Sequence, residues 1–231
     1  MSDDLFASRV TKLGALADPI RRALYRFVAE QPGSVSRDQA AEGVGIPRHT
    51  VKFHLDRLVE EGLLVTEFRR LTGRSGPGAG RPAKLYRRSR KEVTVSVPSR
   101  RYDLAGQVLA DAVERALDGT PMDQAVTEAA DNAARIVVEA AGESAAEPLD
   151  RACEVLSTYG YEPRPDDDAV RLSNCPYERL ALDHRALVCP MNGEFVGAVL
   201  RQVACEGHAA VAVEPGTGCC VRLVPSDSSP S

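Results

Sequence analysis

The sequence predicts an α+β protein in three parts, and three observations carry that prediction. Residues 1–101 contain 20 Lys and Arg against 11 Asp and Glu, whereas the rest of the chain contains 9 against 22. Apolar residues recur at three- and four-residue spacing in several stretches, which indicates amphipathic helices. Five of the six cysteines lie between residues 175 and 220. The predicted parts are a basic region over residues 1–97, two central helices within 98–146, and a small cysteine-rich α/β region over 147–226.

The charge asymmetry indicates that only the N-terminal half meets an anionic partner. Nucleic acid is the commonest partner of a chain segment with this charge. Over residues 66–101 alone, eleven Lys and Arg stand against two acidic residues. Neutralisation of phosphates by such side chains gives an affinity for nucleic acid that does not depend on its sequence.

The first elements are predicted from their capping residues. Residues 5–31 predict two helices, the second starting at Asp18-Pro19, because Asp caps helix N-termini and Pro fits the first helical position. Ser36, with Gln39 three residues later, predicts a capping box at the start of a short helix.

A glycine-containing turn at residues 43–45 separates this short helix from a longer one over residues 47–61. A short helix, a tight turn and a second helix with polar and basic outward residues form the pattern of a helix-turn-helix. Residues 63–68 and 84–87 then predict the β-hairpin of a winged helix-turn-helix, so double-stranded DNA is the predicted partner. The candidate DNA-binding residues are Arg48, His49, Thr50, Lys52 and His54 on the second helix, and Arg74, Arg81 and Lys84 on the wing.

Two central segments, residues 104–117 and 122–141, carry apolar residues at helical spacing. A winged helix usually binds a two-fold operator as a dimer. We therefore interpret these segments as the dimerisation helices of a homodimer. The alternative, that they pack only within their own subunit, stays open.

The C-terminal region predicts helices alternating with short strands, as in a small α/β domain. The predicted helices cover residues 149–159, 176–187 and 191–203, and the predicted strands cover 169–172, 208–213 and 219–224. Cys175 and Cys189 each precede a proline at a predicted helix entrance. Helix N-termini favour the thiolate, which is the form that ligates metal.

The cysteine spacing does not match the close pairs of zinc ribbons, but widely separated ligands are compatible with an iron–sulfur cluster. On a strand, Cys219 and Cys220 would point to opposite faces, so one of them is expected to ligate, with Cys219 favoured. His184 and Cys205 are alternatives for the fourth ligand. The predicted metal ligands are Cys175, Cys189 and Cys219, with Cys220 and His184 as further cofactor-binding candidates.

Six stretches together resemble the SufR-like regulators, an ArsR/DeoR-type winged-helix group: LADPIRRALYRFV, RHTVKFHLDRLVEEGLL, GRPAKLYR, NCPY, VCPMN and CCVRL. The resemblance covers most of the chain. It implies a homodimeric repressor with a 4Fe–4S or 2Fe–2S cluster that senses redox or iron–sulfur status and controls iron–sulfur cluster assembly genes. It also implies that Cys175, Cys189 and one of Cys219 and Cys220 are cluster ligands.

Three other hypotheses compete with this one. The first keeps DNA binding but assigns the thiols to structural zinc, or to heavy-metal or thiol-redox sensing. The second is an enzyme with a reactive cysteine near His184; without a nucleophile elbow, phosphate loop or dinucleotide-binding glycine motif, we expect no enzyme. The third is a small organic effector. No secretory leader and no apolar run of roughly 18–20 residues is evident, so we expect a cytoplasmic protein without a membrane partner.

Overall fold

A computed structural model describes residues 3–70, 82–214 and 218–228, in which helices and two antiparallel sheets are combined. This confirms the predicted mixture of helix and sheet. The chain divides into two compact units, residues 2–95 and 96–231. No helix in the described ranges combines the length and the apolarity that a membrane span requires.

The N-terminal unit is built of helices and a three-stranded sheet. Its elements are α1 (Asp3–Gly14), a 3-10 turn (Ala15–Ala17), α2 (Pro19–Glu30), β1 (Val35–Ser36), α3 (Arg37–Val44), α4 (Arg48–Glu60), β2 (Leu64–Arg69) and β3 (Ala83–Arg88). Strand β3 lies between β1 and β2 and is antiparallel to both. Strands β2 and β3 pair along their full length and form the predicted hairpin.

Side-chain caps fix the starts of α2 and α3. The Asp18 carboxylate accepts a hydrogen bond from the backbone nitrogen of Arg21 at 2.9 Å, and Pro19 occupies the first helical turn. Ser36 Oγ accepts a bond from the backbone nitrogen of Gln39 at 3.2 Å, and Gln39 Oε1 accepts one from the backbone nitrogen of Ser36 at 2.9 Å. This confirms the predicted capping box, and such a cap stabilises a helix by about 1 kcal/mol.

The turn between α3 and α4 requires Gly45, whose φ of 70° lies in the left-handed region. Helices α2, α3 and α4 then pack around an apolar core. Its fully buried members include Leu24, Ala40, Val51, Leu55, Leu58 and Leu64. This packing uses one face of α4 and leaves the opposite face exposed.

The C-terminal unit combines five helices with a four-stranded sheet in its described ranges. Its elements are α5 (Tyr102–Leu117), α6 (Met122–Ala140), α7 (Pro148–Thr158), β4 (Pro163–Asp166), β5 (Ala169–Leu172), α8 (Glu178–Asp183), α9 (Arg185–Gln202), β6 (His208–Ala212), β7 (Val221–Pro225) and a 3-10 turn (Ser226–Ser228). The strand order is β4-β5-β7-β6, with each neighbouring pair antiparallel. Strand β6 therefore lies at one edge of the sheet.

Helix α6 packs against both α5 and α9, and small side chains fill these contacts. The buried alanines are Ala105, Ala112, Ala125, Ala129, Ala130, Ala134 and Ala198. Arg201 of α9 also pairs with Asp131 of α6 at 2.8 Å. The central helices and the C-terminal α/β region thus share one core. Dimerisation through α5 and α6 stays a prediction.

Helix α9 begins earlier than predicted, and this changes the position of Cys189. It runs without a break from Arg185, so Cys189 and Pro190 lie within it and not at its entrance. Buried apolar residues on both sides of the proline explain this, because Val188 and Met191 belong to the same core. That burial offsets the one intrahelical hydrogen bond that a proline removes.

Close packing at Gly43 gives a first prediction. A Cβ at this position would overlap the aromatic ring of Phe27, whereas a Cβ at Gly14 would meet nothing within 4 Å. We expect Gly43→Ala to lower the free energy of unfolding by about 1–3 kcal/mol through overpacking. Urea denaturation of the full chain measures this as a lower transition midpoint.

Gly14→Ala is the matched control, since Gly14 has ordinary helical dihedral angles. We expect it to leave the midpoint nearly unchanged. Equal midpoints for the two variants would contradict the packing described for α2 and α3.

Candidate functional site

Four thiols from three segments of the chain come together in the C-terminal unit. Cys175 follows β5, Cys189 lies in α9, and Cys219 and Cys220 precede β7. Cys219 and Cys220 are 6% and 8% exposed, and the other two are half-buried. We call these four residues the thiol cluster.

Hydrogen bonds link the thiol cluster in series. The Cys219 thiol interacts with both Cys175 and Cys220, and Cys220 interacts in turn with Cys189. A thiol carries a single proton, so Cys219 can donate to only one neighbour at a time. The expectation that Cys219 and Cys220 point to opposite faces assumed that both lie on a strand, and it does not apply here because β7 begins at Val221 and both cysteines precede it.

A buried amide holds two of these thiols. Asn192 of α9 is fully buried, and its Nδ2 donates to Cys219 Sγ at 3.0 Å and reaches Cys220 Sγ at 3.9 Å. Its Oδ1 accepts from the Tyr161 hydroxyl at 2.5 Å. Sequence reasoning missed Asn192, although a polar residue one helical turn after Cys189, between apolar neighbours, is a detectable signal.

These contacts and burial lower the pKa of two of the thiols and raise the pKa of the other two. The hydrogen bond from Cys219, helped by those from Cys189 and Asn192, lowers the pKa of Cys220 to about 5 against the opposing effect of burial. When Cys219 donates to Cys175 instead, that hydrogen bond lowers the pKa of Cys175. Donation to its neighbours raises the pKa of Cys219 far above its usual range, and burial raises that of Cys189 to about 12. The cluster therefore favours thiolate at Cys220, the form that binds metal.

The fit of a metal group rests on the chemistry of these donors. Four sulfur ligands are the set taken by structural zinc and by iron–sulfur clusters. In the described part of the chain, however, no three His, Cys, Asp or Glu side chains are arranged around a single metal-ion position. The identity of the four residues therefore fits such a metal group. Their arrangement is that of thiols that are hydrogen-bonded to one another in series.

The two alternative ligands lie apart from the thiol cluster. His184 is exposed at the junction of α8 and α9, and no hydrogen bond of its side chain to a thiol is found within the described ranges. Cys205 is buried after α9, where burial raises its pKa, and its thiol neighbour is Cys153 of α7.

The segment that carries Cys175 is bonded to the residues that precede α5. Asn174 Nδ2 donates to the carbonyl oxygen of Ser99 at 2.9 Å, and its Oδ1 accepts from Arg100 Nη1 at 2.5 Å. Arg100 Nη1 also donates to the carbonyl oxygen of Cys175 at 3.2 Å, and its Nη2 pairs with Glu178. We call residues 96–101 the connector, because they follow the N-terminal unit in the chain. Sequence reasoning missed this network, whose partners lie about 75 residues apart.

The N-terminal unit presents the other candidate surface on α4. Arg48, His49, Lys52 and Phe53 are exposed, Thr50 is half-buried, and Phe53 is 66% exposed. Arg48 forms an ion pair with Asp38 of α3. The exposed face therefore offers His49 and Lys52, with Phe53 as an apolar neighbour.

His54 corrects the prediction of a DNA-facing side chain. It is 8% exposed and belongs to the buried face of α4, three residues after Val51. Its Nδ1 lies 4.0 Å from the Asp18 carboxylate, and its ring packs edge-on against Phe53. Helical geometry explains the correction, since residues three and four apart share a face.

Lys84 has a partner within its own unit. Its Nζ lies 2.6 Å from Asp56 Oδ1, to which the Tyr86 hydroxyl also donates at 3.1 Å. Burial alone would raise the pKa of Asp56, but the bond and charge of Lys84 lower it below its usual value. Lys84 thus ties β3 to α4. The other two predicted wing residues, Arg74 and Arg81, lie outside the described residues.

Comparison with known proteins identifies the N-terminal unit. A family described as "Helix-turn-helix domain" matches residues 16–67, which run from the 3-10 turn into β2. Comparisons with curated proteins and with solved structures give no match. The family match confirms the predicted helix-turn-helix, and with the hairpin of β2 and β3 it supports a winged helix-turn-helix that binds DNA in a transcriptional regulator.

The different surroundings of two lysines give a second prediction. We expect Lys52→Ala to weaken DNA binding and to reduce the slope of log affinity against log salt by about 1, because one phosphate contact is lost. Lys84→Ala should reduce that slope by less, because Asp56 already neutralises Lys84. Fluorescence anisotropy with duplex DNA at several salt concentrations measures both slopes. Equal reductions would contradict the roles given to these lysines.

Proposed function

We propose that this protein is a homodimeric transcriptional repressor whose thiol cluster holds an iron–sulfur cluster and senses redox or iron–sulfur status. Its proposed targets are iron–sulfur cluster assembly genes. The observation that carries the proposal is the meeting of four cysteines from three chain segments, in a chain that also contains a helix-turn-helix domain. The resemblance to SufR-like regulators supports the same function.

The proposed ligands are Cys175, Cys189, Cys219 and Cys220. When bound, the iron–sulfur cluster would supply a group whose charge and integrity depend on redox conditions. Asn192 donates to the sulfurs of Cys219 and Cys220, and such hydrogen bonds adjust the properties of a ligated thiolate. Tyr161 holds the Asn192 amide in the orientation that makes this donation.

The contacts of the connector supply a route from the thiol cluster towards the N-terminal unit. The carbonyl oxygen of Cys175 accepts from Arg100, and the carbonyl oxygen of Pro176 accepts from the backbone nitrogen of Arg101 at 3.1 Å. A shift of the Cys175 backbone must therefore move the connector or break these bonds. A response of DNA binding requires such a difference in contacts between two states.

Exposed apolar side chains on the central helices support the homodimer. On α5 and α6 they are Tyr102, Val113, Leu117, Met122 and Ile136, and Leu117 is 82% exposed. Such side chains favour contact with another apolar surface. A two-fold dimer would present two copies of α4 to successive major grooves of the operator.

A second candidate function keeps DNA binding and assigns the same four sulfurs to structural zinc, or to heavy-metal or thiol-redox sensing. The donor set favours it equally, because zinc is commonly held by four thiolates. The two functions differ in one measurement on protein purified without oxygen. Visible absorbance with matching iron and sulfide contents supports the iron–sulfur cluster, and a colourless protein with stoichiometric zinc supports the alternative.

The ligand assignment gives a third prediction. We expect Cys175→Ser and Cys189→Ser to abolish the visible absorbance, because each removes a proposed sulfur ligand. Cys153→Ser is the matched control and should keep the spectrum, since Cys153 lies on α7 beside Cys205. A normal spectrum in both ligand variants would overturn the assignment.

The connector gives a fourth prediction. We expect Arg100→Ala to keep the visible spectrum but to bring the DNA affinities of cluster-loaded and cluster-free protein closer together. The physical reason is the loss of its bonds to Asn174, Cys175 and Glu178. The measurement uses DNA that the protein selects from a random pool.

Arg135→Ala is the control for this prediction, because Arg135 is exposed and pairs within α6. It should leave the ratio of the two affinities unchanged. An unchanged ratio in Arg100→Ala would exclude the connector as the route of coupling, while leaving the ligand assignment intact.

A further inference from the structure

A cavity of about 1180 Å³ lies between α9 and the edge strand β6. Small residues form much of its wall, including Gly193 and Gly197 on α9 and Ala210 on β6. The absence of large side chains at these positions leaves room for a small molecule beside α9. Neither the helix-turn-helix match nor the proposed ligation assigns a role to this space.

Two members of the thiol cluster line the cavity. Cys189 and Cys220 are on its wall, whereas Cys175 and Cys219 are absent from the residues that line it. Cys189 and Cys220 are also hydrogen-bonded to each other. Arg185 lies on the same wall and acts on the Cys189 thiol through its charge. The cavity therefore places molecules that enter it beside one pair of thiols, of which Cys189 is half-buried and Cys220 is buried.

We infer that this cavity admits low-molecular-weight disulfides, and that Cys189 and Cys220 reduce them while forming a reversible disulfide with each other. One thiol of the pair attacks, as the thiolate, one sulfur of the incoming disulfide, which forms a mixed disulfide and releases one small thiolate. The other thiol then loses its proton to solvent and attacks the protein sulfur of the mixed disulfide, which closes the Cys189–Cys220 bond and releases a second small thiolate. Two protein thiols are oxidised and one small disulfide is reduced to two thiols.

This reaction belongs to the metal-free protein and does not depend on which metal group the thiols bind. Its consequence is that two of the four sulfur donors become unavailable together. A reducing thiol restores them, because thiol–disulfide exchange is reversible. The oxidised pair would thus keep metal-free protein from being loaded until reducing conditions return.

Cys205, the third thiol on the cavity wall, lies too far from Cys189 to form a disulfide with it. Cys205 comes after the end of α9 at Gln202, which is 13 residues beyond Cys189. At 1.5 Å per residue this is a distance of roughly 20 Å along the helix, several times the reach of a disulfide. Cys153 stays out of the reaction because it lies on α7 and is not among the residues that line the cavity.

Gly193 provides a specific way to close the cavity over the thiols. It lies one helical turn after Cys189, and a Cβ at this position would meet nothing within 4 Å. Helical side chains lean towards the preceding turn, so we expect a leucine at position 193 to extend over Cys189. Gly106 on α5 is exposed and equally free of contacts, which makes Gly106→Leu the matched control.

The experiment treats reduced, metal-free full-length protein with the aromatic disulfide DTNB in the absence of oxygen. We expect a fast phase that releases two coloured thiolates per chain and leaves a protein two mass units lighter, for the two hydrogens lost in forming a disulfide. Peptide mapping should place that disulfide between Cys189 and Cys220. Cys189→Ser should release a single thiolate in this phase and keep the other half of the reagent on Cys220.

Gly193→Leu should slow the fast phase several-fold, whereas Gly106→Leu should leave its rate unchanged. Circular dichroism verifies that each variant is folded as the parent protein is. Fast labelling of Cys153 or Cys175, a mixed disulfide at Cys220 that never closes, or equal rates in the two glycine variants would each overturn the inference. None of these outcomes changes the result expected from the iron and sulfide assays. The proposed function is therefore tested independently of this inference.

Discussion

The hydrogen bonds of the buried Asn192 side chain hold the thiol cluster together with the helix on which that residue lies. The amide is fully buried, and both of its ends have partners: the Tyr161 hydroxyl on one side and the sulfurs of Cys219 and Cys220 on the other. A buried amide without partners costs about 1–3 kcal/mol. The segment before β7 is therefore fixed relative to α9, and the packing of Tyr161 against Tyr177 and Phe195 fixes the hydroxyl in turn.

The same constraint brings together parts of the chain with different chemical roles. Cys175 belongs to a segment that bonds to the connector, while Cys189 and Cys220 line the cavity beside β6. The carbonyl oxygen of Cys175 thus accepts a bond from the Arg100 side chain of the connector, and two other members of the thiol cluster line a cavity. This arrangement supports the proposal that a change at the thiol cluster reaches the connector.

The basic side chains of the N-terminal unit have two different roles. Lys84 and Arg48 are paired with carboxylates, and these pairs link β3 to α4 and α3 to α4. His49 and Lys52 stay on the exposed face of α4. The number of basic residues in the N-terminal half therefore overstates the number of cations that are free to meet phosphate, because some of them are paired with carboxylates within the unit.

The sequence by itself determined the local features, because they depend on residues close together in the chain. The caps at Asp18 and Ser36, the helix-turn-helix with its hairpin, and the opposite charges of the two halves could all be read without a structure. The paired state of Lys84 and the contacts of Asn174 and Asn192 could not, because their partners are distant in sequence. Tertiary packing decided that both Cys219 and Cys220, and not one of them, share a cluster with Cys175 and Cys189, since the register of β7 and the unbroken course of α9 bring these sulfurs together.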